Sequence, residues 1–393
     1  MTETLKPGWR RVKFGDVVRL SKARSQNPLA DGLERYVGLE HLEPGDLRIR
    51  SWGNVADGTT FTNRFEPGQV LFGKRRAYQR KVAVADFAGV CSGDIYVLES
   101  KDTDVLLPEL LPFICQTDAF FEHAVGTSAG SLSPRTNWTS LAEFEFALPP
   151  TDEQRRIICI VAQFDESFEA YRALQISARD LLQSLLDRMW SAFPKRRIGA
   201  LVDDRLIALP QDGNHGERHP KASDYVPEGI PFVMASDLKN GKVDFRNCSR
   251  IPEALALTLR IGFAKPGDIL LSHKGTVGEV ARLERLTTDF VILTPQVTYY
   301  RVIDKSRLES DWLYFAFQTP GFRRLLEQHG KQSTRAYVGI TAQRDLSIPI
   351  AQVPDQQWVL TELVAAEIAI EAAGKRASSV AEVRQYLLAD AIA

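Results

Sequence analysis

The chain has 393 residues, of which 44% are hydrophobic and 25% charged, with a net charge of -1 at pH 7. That length exceeds what one hydrophobic core supports and predicts two domains, and the composition excludes a disordered or collagen-like chain. Near-neutrality leaves nucleic-acid binding open, because such binding needs a local basic face rather than a basic chain.

The opening MTETLKPGWR has no apolar signal core. The nearest approach to a membrane run, Val105 to Cys115, is broken by Pro108, Glu109 and Pro112, so a cytoplasmic protein is expected. Cys91, Cys115, Cys159 and Cys248 form no CxxC pair, which indicates neither a zinc knuckle nor a disulfide framework. Cys159, inside a long helical stretch, reads as a small buried hydrophobe.

In chain order, Trp9 to Val18 reads as a short lead into a domain, echoed by residues 196–202, RRIGALV. Tyr36 to Leu42, then a turn at Pro44-Gly45-Asp46, is matched by Phe232 to Leu238 and a turn at Asn240-Gly241. Both copies read as strand, polar link, hairpin. Phe65 to Phe72 pairs with Ala264 to Leu271, each a Pro-Gly turn feeding an apolar strand. Strand-rich runs end near Asp94 to Leu98 and near Gln296 to Tyr300, and each is followed by an aromatic helix candidate, Leu110 to Val125 and Asp311 to Gln328. Gly126 to Gln154 then has a weaker counterpart in Gly330 to Gln357.

Residues 152–190 predict one long helix. Steps of four and three from Ile157 reach Val161, Phe164, Phe168, Tyr171, Gln175, Ala178, Leu182, Leu185 and Met189, a coiled-coil seam broken only by Gln175. Thr151 is the expected N-cap with Gln154 completing a capping box, Asp152 and Glu153 oppose the positive helix end, and Phe193-Pro194 stops it. A shift of 202 residues lands on Val359, Leu363, Ala366, Ile370, Ala373, Ala377, Val380, Arg384, Leu387 and Ala391, apolar except at Arg384. Bulky residues in the first row oppose small ones in the second, so the two helices are expected to be mutual partners. The fold class is α+β: two pseudo-repeated mixed domains separated by two long helices that form an antiparallel coiled coil. The boundaries are 1–151, first domain; 152–193, first helix; 194–353, second domain; and 354–393, second helix.

The Trp9-to-Val18 lead, Pro67 to Phe72, Thr127 to Ser131, Leu148-Pro149-Pro150 with Glu153-Gln154, and the duplicated order of parts together resemble the DNA-specificity subunit of type I restriction-modification systems. The resemblance implies a non-catalytic subunit with two target-recognition domains, each reading half of a bipartite asymmetric double-stranded DNA site. It further implies antiparallel helices that set the gap and dock two adenine methyltransferase subunits, with restriction and translocase subunits in the full complex. S-adenosylmethionine and ATP are then expected only on those partners. The second copy departs from the pattern, with Val353-Pro354-Asp355-Gln356-Gln357 where Pro-Pro and Glu-Gln are expected. A helix of about 35 residues is about 50 Å long, against about 34 Å between successive groove faces of B-DNA, so such a spacer suits two readers on one duplex face.

Lys74, Arg75, Arg76, Arg80 and Lys81, interleaved with Tyr78, form the best candidate DNA-facing loop, combining phosphate neutralisation with groups that read base edges. Ser133, Arg135 and Asn137 offer further contacts, although Ser133 and Asn137 equally suit a tight turn. In the second half the candidates are His273, Lys274, Lys331, Arg335 and Tyr337, with Arg323, Arg324 and Arg344 nearby. His215 and His219 are separated by glycine and read as no metal site. No glycine-rich cofactor loop or GxxxxGK[ST] motif occurs, so no catalytic, cofactor or metal residue is assigned. Two other readings stand beside this one: a subunit of a related phage-defence or orphan methylation system, and a nuclease using Asp94, Glu99 and Lys101.

Overall fold

The computed structural model describes residues 5–216, 219–284, 286–330 and 337–392. The chain divides into two units, Met1–Arg172 with Gly374–Ala393, and Ala173–Ala373. Each therefore combines a globular part with a segment of both long helices.

In the first unit a four-stranded sheet runs in the order Val18–Leu20, Ile95–Ser100, Val70–Gly73, Val82–Val84, all antiparallel. The sequence VLFG is buried on both faces, as the centre of such a sheet requires. A second sheet runs Gly53–Asn54, Arg35–Val37, Gly89–Cys91, Asn63–Phe65, with a parallel pairing of Tyr36 and Val90 at its middle. The second unit repeats the plan. Ile269–Ser272 lies between Val280–Arg282 and Val297–Tyr300, and Ile230–Val233 pairs parallel with Val291–Leu293. The Pro-Gly turns enter the central strands with Gly68 and Gly267 at φ 87° and 92°, backbone that favours glycine. The weak echo of the opening is the same element twice: Arg10–Lys13 pairs with Glu145–Leu148, and Lys195–Arg197 with Ser347–Pro349.

Two local expectations change. The hairpin forms only in the second unit, where Asn240 and Gly241 both take positive φ between Leu238–Lys239 and Lys242–Val243. In the first unit Pro44 and Arg48 make isolated bridges instead. Each aromatic helix is also two helices, split where Thr117 and Thr319 cap the amides of Phe120 and Phe322.

The long helices span Thr151–Ala192 and Val353–Ile392. Ile157 and Val161 share the first unit's core with Leu388. Leu185, Met189, Val359, Leu363 and Ala366 share the second unit's core. The segments run antiparallel within each unit. In the second, the Gln175 amide donates to the Ile370 carbonyl at 3.3 Å while Arg188 pairs with Glu362 at 2.5 Å. The seam's one polar break thus bonds to the partner helix. Arg384, the break in the second row, is buried in the first unit, 2.7 Å from Asp165, with its Nη2 donating to Gln116 at 2.8 Å. Burial raises the Asp165 carboxyl and lowers the Arg384 guanidinium. Desolvation thus opposes the attraction within the pair.

Gln154 does not make a capping box. It is fully buried; its Oε1 accepts from the Leu107 amide at 2.9 Å and its Nε2 donates to the carbonyls of Val105 and Pro149 at 2.9 and 3.0 Å. Gln356 repeats all three bonds with Glu309, Arg307 and Ala351, each at the same 202-residue offset. The departure from Pro-Pro at the second helix start therefore leaves its anchor intact. Cys159, expected buried, is exposed because it lies off the seam.

Gln154→Ala and Gln356→Ala each orphan one buried amide and two carbonyls, at about 1–3 kcal/mol per unsatisfied group. Each substitution should lower stability in urea unfolding by about 2 kcal/mol or more, and by similar amounts. A loss confined to one of them would refute the equivalence of the two anchors.

Candidate nucleic-acid interface

At the end of strand Val70–Gly73 the chain leaves the sheet as a cationic run. The Lys74 amide donates to Asp94 O and the Thr136 amide to Lys74 O, both at 3.0 Å. Arg75 then bridges Arg135, and Ala129 bridges Arg135 across a short loop. These backbone bonds bring three distant segments together.

The side chains complete the junction. Arg135 donates from Nε to Asp94 Oδ1 at 2.7 Å and from Nη2 to Oδ2 at 3.4 Å, while Arg75 Nη1 reaches Asp94 Oδ2 at 3.3 Å. Arg75 Nη2 and Arg76 Nη2 both donate to Ser133 Oγ, at 3.0 and 3.3 Å. The Asp94 side chain is 21% exposed against 37% for Arg75 and 50% for Arg135, so the carboxylate lies beneath and the guanidiniums above. Arg135, and then Arg75, hold the Asp94 carboxyl below its usual range. Leu132, at the loop tip, is 90% exposed.

The remaining sequence candidates divide. Lys74 lies over the Tyr96 ring, and Tyr78 is exposed. Arg80 pairs with Asp118 and lies over Phe121, and Lys81 donates to Leu39 O at 2.6 Å, so both brace their own domain. Asn137 Oδ1 caps helix Trp138–Ala142 by accepting from Ser140 at 2.8 Å, the turn role open to it from the sequence. Asp94 and Glu99 do not converge as a nuclease site would require. Asp94 directly precedes strand Ile95–Ser100 and Glu99 lies near its far end, five residues or roughly 16 Å along, and Glu99 is engaged by Arg19 and Gln69.

The second unit builds the same junction from different side chains. The His273 amide donates to Gln296 O at 2.9 Å, the Val338 amide to His273 O at 3.0 Å, and Lys274 bridges Tyr337. Lys274 and Tyr337 thus occupy the places of Arg75 and Arg135, and Gln296 that of Asp94. Lys274 is exposed and its Nζ lies 5.9 Å from the Tyr337 ring centre. His273, expected as a DNA contact, is fully buried beside Asp212 and cannot reach a duplex without unfolding its surroundings. Lys331 and Arg335 lie outside the described residues. Arg344 pairs with Asp203 at 3.2 Å, and Arg323 and Arg324 are exposed on helix Pro320–Gly330. His215 bonds Asp212 at 3.0 Å, and no group of metal-ligating side chains occurs among the described residues. No helix among them is long and apolar enough to cross a membrane.

Asp94 and Gln296 were absent from the interface expected from sequence. The available signal was their shared 202-residue offset at the start of matched strands, but nothing local marks either as the floor of a junction.

Residues 7–178 match the type I restriction modification DNA specificity domain. The specificity subunit of the type I restriction enzyme EcoDI of Escherichia coli is 30% identical over 165 residues, 39% of this chain and 34% of that protein. The match therefore spans about a third of that relative. The MjaVIII specificity subunit of Methanocaldococcus jannaschii is 20% identical, covering 97% of this chain and 91% of its own. Among solved structures, the type I restriction-modification S subunit of M. genitalium is similar at a TM-score of 0.63 and 13% identity, covering 100% of this chain and 98% of its own. A chain from a study of assembly and conformational transition in a type I system gives 0.60 at 20% identity, with 99% and 98% covered.

Burial pushes His273 down to about 4 from the usual value of 6.5. The unfolded chain takes up this proton below about pH 6.5 and the folded unit only near pH 4, so stability falls as pH drops through that window. His273→Phe should remove about 2–3 kcal/mol of the loss between pH 7 and pH 4.5, measured by urea unfolding at both. An acid limb equal to the unsubstituted chain's would show that His273 does not titrate this way.

Proposed function

We propose that this chain, which resembles the specificity subunits of type I restriction-modification systems along its length, is the DNA-recognition subunit of such a system and is itself non-catalytic. Each unit reads one half of a bipartite asymmetric duplex site. The observation that carries this reading is the junction built twice on one backbone plan with different side chains, Arg75, Asp94 and Arg135 against Lys274, Gln296 and Tyr337. Two copies that keep their scaffold and change their exposed polar groups suit two different sequences.

The long helices set the gap between half-sites and dock two adenine methyltransferase subunits, with restriction and translocase subunits joining the full complex. S-adenosylmethionine and ATP are then the partners' cofactors. A helix of 42 residues is about 60 Å long, a fixed length against which a duplex is measured. Docking is supported by apolar side chains that the helices leave exposed. In the second unit Leu174 and Leu181 flank a groove of about 630 Å³ that also takes in Ala365, Ala366 and Ala369. In the first, Ile160, Val383 and Tyr386 are exposed. Apolar surface rimmed by Arg188 and Glu362 favours a protein partner over water.

Exchange of residues 1–150 for the first domain of another specificity subunit should change one half of the methylated sequence and leave the other, as read by methylation mapping in a host with the partner subunits. A change in both halves, or in neither, would refute two independent readers. Leu181→Asp should abolish co-purification of a methyltransferase subunit without shifting the melting temperature; undiminished co-purification would move the docking surface elsewhere.

A further inference from the structure

A cation that only neutralises phosphate gains nothing from a carboxylate beneath it, since that charge repels the backbone it is meant to hold. The first unit nevertheless keeps Asp94 under Arg75 and Arg135, bonded to both. Arg75 also donates to Ser133, and Arg135 reaches both Asp94 oxygens, so each guanidinium is fixed in direction as well as in place. A guanidinium fixed in direction is a planar fork, and the base edge that matches it is guanine, with O6 and N7 as paired acceptors in the major groove. The equivalent places in the second unit hold Gln296, neutral, with a lysine and a tyrosine, neither of which is a planar fork.

Resting on the reader assignment above, we infer that Asp94 is a positioning residue for base recognition. It aims Arg75 and Arg135 at a guanine in the half-site read by the first unit, where the second unit has Lys274 and Tyr337 at the matching places. The carboxylate contributes selectivity at the expense of general affinity. Its removal should therefore separate the two quantities, which the loss of a merely structural residue would not do.

The experiment is selection of binding sites from a randomised duplex library by the full-length protein, followed by titration of the selected duplex and of an unrelated one at several salt concentrations. The unsubstituted protein should select a two-part sequence with guanine in one half. Asp94→Asn should reduce preference for that guanine by about tenfold or more, leave the other half unchanged, and bind the unrelated duplex as tightly as before or more tightly. Arg135→Lys keeps the positive charge and loses the fork; it should show the same loss of preference, and it decides the matter if Asp94→Asn does not fold. Arg75→Ala should likewise reduce preference for that guanine by about tenfold or more, with binding to the selected duplex weakened more than binding to the unrelated one. Undiminished guanine preference in Asp94→Asn and Arg135→Lys, or an equal loss of affinity for all duplexes, overturns the inference while the two-reader assignment stands. A protein that selects no sequence at all overturns that assignment, and this inference with it.

Discussion

Two glutamine side chains, each fully buried and each bonded to one amide and two carbonyls, fix where the long helices leave their globular parts. A buried amide side chain tolerates no slippage, because displacement by one residue leaves several polar groups without partners. Everything later along each helix inherits that starting phase. Ile157 and Val161 turn toward the first core, and Val359 and Leu363 toward the second, only because the helix start is pinned.

The same economy shows in how the copies diverge. Backbone bonds at the junction are kept in pairs, Thr136 to Lys74 and Val338 to His273, Lys74 to Asp94 and His273 to Gln296. Side chains above that frame are free to change, since their removal costs no sheet pairing. One copy has become a charged clamp, and the other a lysine and a tyrosine over a buried, neutral histidine. Buried side chains under both carry the cost of the shape.

The long helices and the duplication were legible in the sequence, because a row spaced by four and three residues is a direct image of one helix face, and a 202-residue offset repeats it. Polar residues were read less well. Gln154 resembled a capping partner, since spacing alone shows which backbone groups a side chain can reach nearby and not those brought in from residues 105 to 107. Arg384 and Gln175 read as flaws in an apolar row, yet each is satisfied by a group on the facing helix segment or the adjoining domain. The basic loop stands out in the sequence, but its five cations have different partners: Arg80 and Lys81 turn inward to Asp118 and Leu39, and only the fold brings Asp94 and Arg135 to Arg75. His273 looked exposed beside Lys274 because alternation at a strand end does not reveal what covers it.

The first unit includes Gly374–Ala393, with Arg384 and Leu388 among its buried side chains. That unit is therefore discontinuous, its two segments separated in the chain by the whole of Ala173–Ala373. The returning segment supplies Asp165 with its guanidinium and the core around Ile157 and Val161 with Leu388. The second unit, Ala173–Ala373, is one continuous stretch of chain. The first unit alone is thus assembled from two stretches of chain, and its long-range pairing carries a closure entropy that grows slowly with the length inserted between them.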